Sequence, residues 1–227
     1  LIIVHILKVF HLYLDSNYYT NASEISQLTV FVAFKTTASA KQVFVGYDGG
    51  EYWRIGLSSN GKFEYKTASY PYLSSNPSGN KHYLVTSSSG YRDGNIHYLA
   101  ATFDKDVSIR KKIYIDGVNV ASANASNSSN GIGSGVTRYG YIGTGSEATS
   151  SGGAVNSIAS YVNGNIYEIL IYENSFTSTE MSVLHNYLED KWQNGYAAYN
   201  DSGPFLTIKD IDGSVIEDEA VFSIISF

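Results

Sequence analysis

Among the residues able to do chemistry, the pair closest to a catalytic arrangement is Glu168 with Glu173. Retaining glycoside hydrolysis needs two carboxyl groups about 5–5.5 Å apart, whereas five residues along a strand, at about 3.3 Å each, span roughly 16 Å. An odd spacing in a regular strand also points the two side chains to opposite faces. Glu168 is therefore expected to be a structural acceptor near a sheet edge, not a general acid. The five histidines, His5, His11, His82, His97 and His185, show no metal-ligand spacing, and His185 reads as a surface residue of a helix. No G-x-S-x-G elbow occurs. Gly131-Ile132-Gly133-Ser134-Gly135 has neither a lysine nor a strand-to-helix frame, so it is no phosphate loop. With no cysteine there is no thiol nucleophile, thiolate metal site or disulfide. The residues assemble no enzyme.

Binding chemistry is better represented. Tyr91-Arg92-Asp93 joins an aromatic ring to a cation and an anion, and Tyr47 with Asp48 does so on a smaller scale; Tyr70 and Tyr72 lie in a further loop. Aromatic faces stack on sugar C–H surfaces, while Arg and Asp hydrogen-bond hydroxyls. The candidate ligand-binding set is Tyr47, Asp48, Tyr91, Arg92 and Asp93. Against it stands the ordinary role of tyrosine in sheet proteins: most of the 20 tyrosines should be half-buried strand residues. Trp53 reads as core. Asn21, Asn124, Asn127 and Asn200 fit the N-x-[ST] acceptor pattern, which serine- and asparagine-rich loops produce by composition alone.

These residues must be carried by something with a core. The chain has 227 residues, 43% hydrophobic and only 16% charged, which rules out wholesale disorder. Fifteen basic against 21 acidic residues give a net charge of −6. Residues 205–227 hold one basic and five acidic residues, a net of −4, so the body carries −2. No basic field exists to collect phosphates, which disfavours nucleic acid as a partner. The apolar opening run, 1–14, is too short to cross a bilayer and is interrupted by His5, Lys8 and His11, so no membrane insertion is expected. It reads as a strand buried on both faces.

From Leu28 onward short strands alternate with turns. Leu28, Val30, Val32 and Phe34 interleave with Thr29, Phe31 and Ala33, a period-2 strand apolar on both faces. Strands follow at 42–47, 52–57 and 62–66. Asn60-Gly61 separates the last two and predicts a hairpin, with the two positive φ values of a type I′ turn. Further strands are expected near 83–86, at 96–103, at 111–121 with a turn or bulge at Asp116-Gly117, at 139–142 and at 165–172. One helix stands out over 178–193. Thr177 and Glu180 form a capping box, and Met181, Leu184, Leu188 and Trp192 make one apolar stripe.

Several of these segments carry a resemblance. Asn163-Gly164-Asn165-Ile166-Tyr167-Glu168-Ile169-Leu170-Ile171-Tyr172, followed by Phe176-Thr177 and Glu180, resembles the closing strand and short helix of the laminin-G-like, concanavalin A-like lectin jelly rolls of bacterial and phage type. The ending Tyr187-Leu188-Glu189-Asp190-Lys191-Trp192 is similar to that family's Tyr-Leu-x-x-Lys-Trp. Upstream, His97 to Asp104 and Ile113-Tyr114-Ile115-Asp116-Gly117 resemble its paired central strands, with Ile96 where the family has tryptophan.

The resemblance covers roughly 10–196. It implies an all-β jelly-roll sandwich with one C-terminal amphipathic helix, divided into an N-terminal apolar strand region (1–26), the jelly-roll domain (27–196) and an acidic C-terminal β extension (197–227). It also implies a non-catalytic, lectin-like recognition or structural module on a virion or extracellular surface, a subunit of a larger assembly that binds glycans. The alternatives are a carbohydrate-binding domain of a secreted bacterial adhesin or enzyme and, third, a glycosidase. Glucan-hydrolysing members carry a Glu-x-Asp-x-Glu strand, and here Leu170 takes the place of the central acid. Jelly rolls of this type hold Ca²⁺ on the rim through hard oxygen ligands, and the candidates are Asp48, Asp93 and Asp104, with Asp106 nearby.

Overall fold

The computed structural model describes residues 2–5, 24–47, 52–69, 81–124, 130–133, 138–145 and 160–192. Two antiparallel sheets make a sandwich. The six-stranded sheet runs β1 (Ile2–His5), β11 (Gly164–Tyr172), β2 (Gln27–Thr36), β7 (His97–Asp104), β8 (Lys111–Ile115) and β9 (Val118–Ala123). The five-stranded sheet runs β10 (Tyr141–Ile142), β3 (Gln42–Gly46), β4 (Trp53–Leu57), β5 (Phe63–Ala68) and β6 (Lys81–Val85). This is the jelly-roll sandwich that the sequence predicts.

A third layer, helix α1 (Ser178–Trp192), lies on the outer side of the six-stranded sheet. That explains the doubly apolar β2. Val30, Val32 and Phe34 enter the core between the sheets, while Phe31 and Ala33 face Met181 and Leu188 of the helix. Leu184 and Trp192 pack on the same cluster, so the whole predicted stripe docks. The capping box forms too: Thr177 N donates to Glu180 Oε2 at 2.7 Å, and Glu180 N donates to Thr177 Oγ1 at 3.3 Å.

Three details differ from the sequence reading. The Asn60-Gly61 hairpin forms, but with a three-residue loop. Gly61 N donates to Ser58 O at 3.0 Å, and Gly61 takes φ +78° while Asn60 keeps a negative φ. This is a type I turn closed by a left-handed glycine. The turn with two positive φ values is instead Asp116-Gly117, at +48° and +78°, joining β8 to β9. A strand apolar on both faces, as read at 1–14, predicts an intersubunit or interdomain partner. Its described part, β1, pairs with β11 of the same chain, Ile2 opposite Ile171. The acidic extension lies outside the described residues.

One residue contradicts the apolar interior. Lys111 of β8 is 1% exposed and points between the sheets. Its ammonium donates to Tyr65 O (3.1 Å), Thr67 Oγ1 (3.2 Å) and His82 O (2.9 Å), all on the opposite sheet. Burial pushes its pKa down to about 7.

Candidate binding face

The described members of the predicted ligand-binding set, Tyr47, Tyr91, Arg92 and Asp93, do not form one site. Tyr47 ends β3 inside the core, edge-on to Trp53 at 5.5 Å between ring centroids. Asp48 lies outside the described residues. Tyr91 packs on Phe63 (4.8 Å) and on His97 (5.4 Å). Arg92 ties its own loop to two stretches of backbone, donating to Ser59 O at 3.0 Å and to Ser58 O in one, and to Ala40 O at 2.8 Å in the other. Its guanidinium is the keystone of this rim.

Asp93 is the neighbouring anion. It accepts from Asn95 N (2.8 Å) and from His97 Nε2 (3.1 Å), and these bonds, the Asn95 backbone amide first, hold its carboxyl down at about 2. His97 Nδ1 lies 2.9 Å from Asp116 Oδ2. With a carboxylate on each ring nitrogen, Asp116 the stronger influence, the imidazole pKa is raised.

Nor do the predicted calcium ligands converge. Asp93 sits beside the first residue of β7 and Asp104 is the last, so about 3.3 Å per residue separates them by the full length of that strand. Asp104 accepts from Gln27 Nε2 (3.0 Å) and Asp106 N (2.9 Å). Among the described residues no group of three His, Asp or Glu side chains could hold a metal ion. The two described members of the set do not fit a single ion.

Glu168, the residue nearest to a catalytic acid in the sequence, is buried under the helix. A bulge in β11 between Ile166 and Glu168 puts Tyr167 and Glu168 on the helix side in succession. The Tyr167 ring meets Trp192 at 5.4 Å, and Glu168 accepts from Trp192 Nε1 at 2.8 Å and from Lys191 Nζ at 3.3 Å. With its side chain 1% exposed, this carboxylate cannot reach a sugar.

The helix lies on the other sheet, and the outer face of the five-stranded sheet carries the exposed side chains Tyr83 and Val85. In β4 and β5 Trp53, Ile55, Leu57, Phe63 and Tyr65 fill the core, so the intervening residues point outward. Strand register sets them in two rows. One runs Gly46, Arg54, Lys66, Tyr83; the other runs Gly56, Glu64, Val85. Tyr83 is 53% exposed, and the Lys66 ammonium lies 5.1 Å from its ring centroid. Lys41 reaches Glu64 at 3.7 Å. Gly46 has to be glycine, because a Cβ there would stand 2.5 Å from that of Arg54. In these rows Tyr83 and Val85 are exposed, Arg54 and Glu64 are half-buried, and Lys66 is buried. Sequence reading did not select these residues, although the alternation in Trp53-Arg54-Ile55-Gly56-Leu57 and Phe63-Glu64-Tyr65-Lys66 carries the signal.

The sequence model of the concanavalin A-like lectin/glucanase superfamily matches residues 11–182. The chain belongs to that superfamily. Solved structures with the superfamily's lectin-like sandwich agree on the fold. A heptameric SAP-like pentraxin from Limulus polyphemus superposes with a TM-score of 0.51 at 13% identity, over 71% of this chain and 70% of the pentraxin. The CBM40 module of the Ruminococcus gnavus IT-sialidase gives 0.50 at 14% identity, over 71% and 84%; the same module bound to α2,3-sialyllactose gives the same score. No curated protein matches the chain. Among the described residues no helix is long and apolar enough to cross a membrane.

Proposed function

We propose that the chain is a non-catalytic carbohydrate-recognition module that binds glycans on the outer face of its five-stranded sheet. The observation that carries this reading is Tyr83, a half-exposed ring on the outer face of the five-stranded sheet, with the half-buried Arg54 and Glu64 at nearby register positions. A ring in that setting stacks on a pyranose, and the charged groups beside it bond hydroxyls. Membership of a superfamily that contains lectins supports the reading. The occupied and buried state of Glu168 supports the absence of hydrolysis. We place the module on an extracellular or virion surface, as one subunit of a larger assembly.

A glycan array probed with the wild type and with Tyr83→Ala tests the proposal. Saturable binding lost in the variant is expected. Sugar release that disappears in Glu168→Gln would overturn the non-catalytic reading, and an array without signal would overturn the recognition role.

A further inference from the structure

Lys66 and Tyr83 are direct register partners across the β5–β6 seam, with the Lys66 ammonium 5.1 Å from the Tyr83 ring centroid. Strand alternation turns their chain neighbours to the inner side of the same seam. Tyr65 and Thr67 flank Lys66, and His82 precedes Tyr83. Those three residues hold the Lys111 amine, through Tyr65 O, Thr67 Oγ1 and His82 O. One side chain from the opposite sheet therefore grips both strands at the register positions that carry the ring. The grip matters because β6 is the last strand of its sheet among the described residues and pairs there with β5 alone. An apolar side chain would fill the place of Lys111 without the cost of burying an amine. A residue that costs stability in the core marks a position kept for something else.

We propose that Lys111 is the positioning residue of the sugar platform, fixing from the interior the stretch of β5 and β6 on which Tyr83 stands. The inference rests on the carbohydrate-binding reading above and adds a control on the same face. A ring already held in place loses less freedom when a sugar stacks on it, so a firmer seam binds more tightly. The hold depends on a proton. An ammonium donates one bond to each of the three acceptors, and its charge strengthens all of them. A neutral amine has two N–H groups, so one bond is lost or reverses, with the Thr67 hydroxyl donating. Burial brings this change to about pH 7. Among the described residues, the titratable groups facing the amine are His82 and Tyr65. Burial, and then the charge of Lys111, lowers the His82 pKa below its ordinary value, and burial raises that of Tyr65. The strand partners of Lys111, Phe103 and Ala123, carry no charge.

The probe is the glycan that binds most strongly on the array. Its affinity is measured by calorimetry at about pH 6.5 and about pH 9, between which neither sugar hydroxyls nor carboxylates titrate. Wild type should bind about threefold tighter, or more, at the lower pH. Lys111→Met should bind as wild type does at the higher pH, with no pH dependence left. Thr67→Val keeps the amine and both carbonyl bonds but removes one acceptor of the ammonium, so its affinity should change at a lower pH than in wild type. A purely structural role would move neither profile. A wild-type affinity equal at the two pH values, or the same pH dependence in Lys111→Met, would overturn the inference and leave glycan recognition standing. If Lys111→Met fails to fold, an unshifted profile in Thr67→Val overturns it in the same way. An array without signal would overturn the recognition reading and the inference with it.

Discussion

Trp192, the last residue of α1, donates its indole N–H to the Glu168 carboxylate of β11 at 2.8 Å, across the seam between helix and sheet. The carboxylate is buried, and Lys191 bonds it as well. Two kinds of loss are therefore separable. Trp192→Ala removes ring and bond together and should cost about 3–5 kcal/mol in a denaturant melt. Trp192→Phe keeps much of the packing and leaves the carboxylate short of a donor, a cost of about 1–3 kcal/mol. If Trp192→Phe stayed within about 0.5 kcal/mol of wild type, as surface changes do, the bond would contribute nothing.

The clamp on His97 predicts a pH dependence. Its pKa is raised in the folded protein, first by the bond to Asp116 and then by Asp93. The stability it contributes is complete below the unfolded value of about 6.5 and is lost as pH rises through the higher folded value. Asp93 works at the other end: held at about 2, it contributes above the ordinary carboxylate range and fails as pH falls toward 2. Melting temperatures of wild type and His97→Gln should therefore diverge most below the unfolded value of about 6.5 and converge as pH rises above the folded one. A constant offset across that range would mean that His97 carries no proton in the fold.

Lys111 predicts the opposite slope. Its amine titrates at about 7 in the fold and at 10.5 when unfolded. Between those values the unfolded chain binds the extra proton, so stability should rise with pH. The groups around the amine are the Tyr65 ring and carbonyl, Thr67 and His82, with no carboxylate among the described residues bonded to it. Lys111→Met replaces it with an uncharged side chain of similar reach, and this stretch of the curve should flatten. Parallel curves for the two proteins would show that the amine keeps its proton inside the sandwich.

The helix start gives a smaller, local prediction. Thr177→Ala removes the hydroxyl that accepts from Glu180 N and should cost about 1 kcal/mol. Glu180→Gln retains the reciprocal bond to Thr177 N and should cost less; the reverse order in thermal melts would contradict the capping box.

The scaffold was legible because its signals are local. β2, the capping box and the α1 stripe each announce themselves within about ten residues, and the closing strand and helix brought a family resemblance with them. The binding face was not legible, for a reason of register. A two-residue type I′ loop at Asn60-Gly61 would have set Arg54 opposite Thr67. The three-residue loop that forms sets it opposite Lys66. One residue of slip in a strand exchanges the two faces, so the charged row depends on a turn geometry that Asn-Gly does not determine. The rim was overread for a different reason. Tyr91, Arg92 and Asp93 are polar neighbours in sequence, yet Phe63, Ser58 and Ala40, distant in the chain, and His97, four residues beyond Asp93, occupy them.

Helix α1 has one more effect. It covers the six-stranded sheet, and its last turn places residue 192 on the far side of the molecule from Tyr83. The chain that continues from Trp192 therefore sets out from the back of the sandwich. Copies anchored through that continuation would all aim Tyr83 outward, away from the anchor. Weak single-site affinities could then add along a surface carrying many sugars, with the helix serving as the stem of each reader.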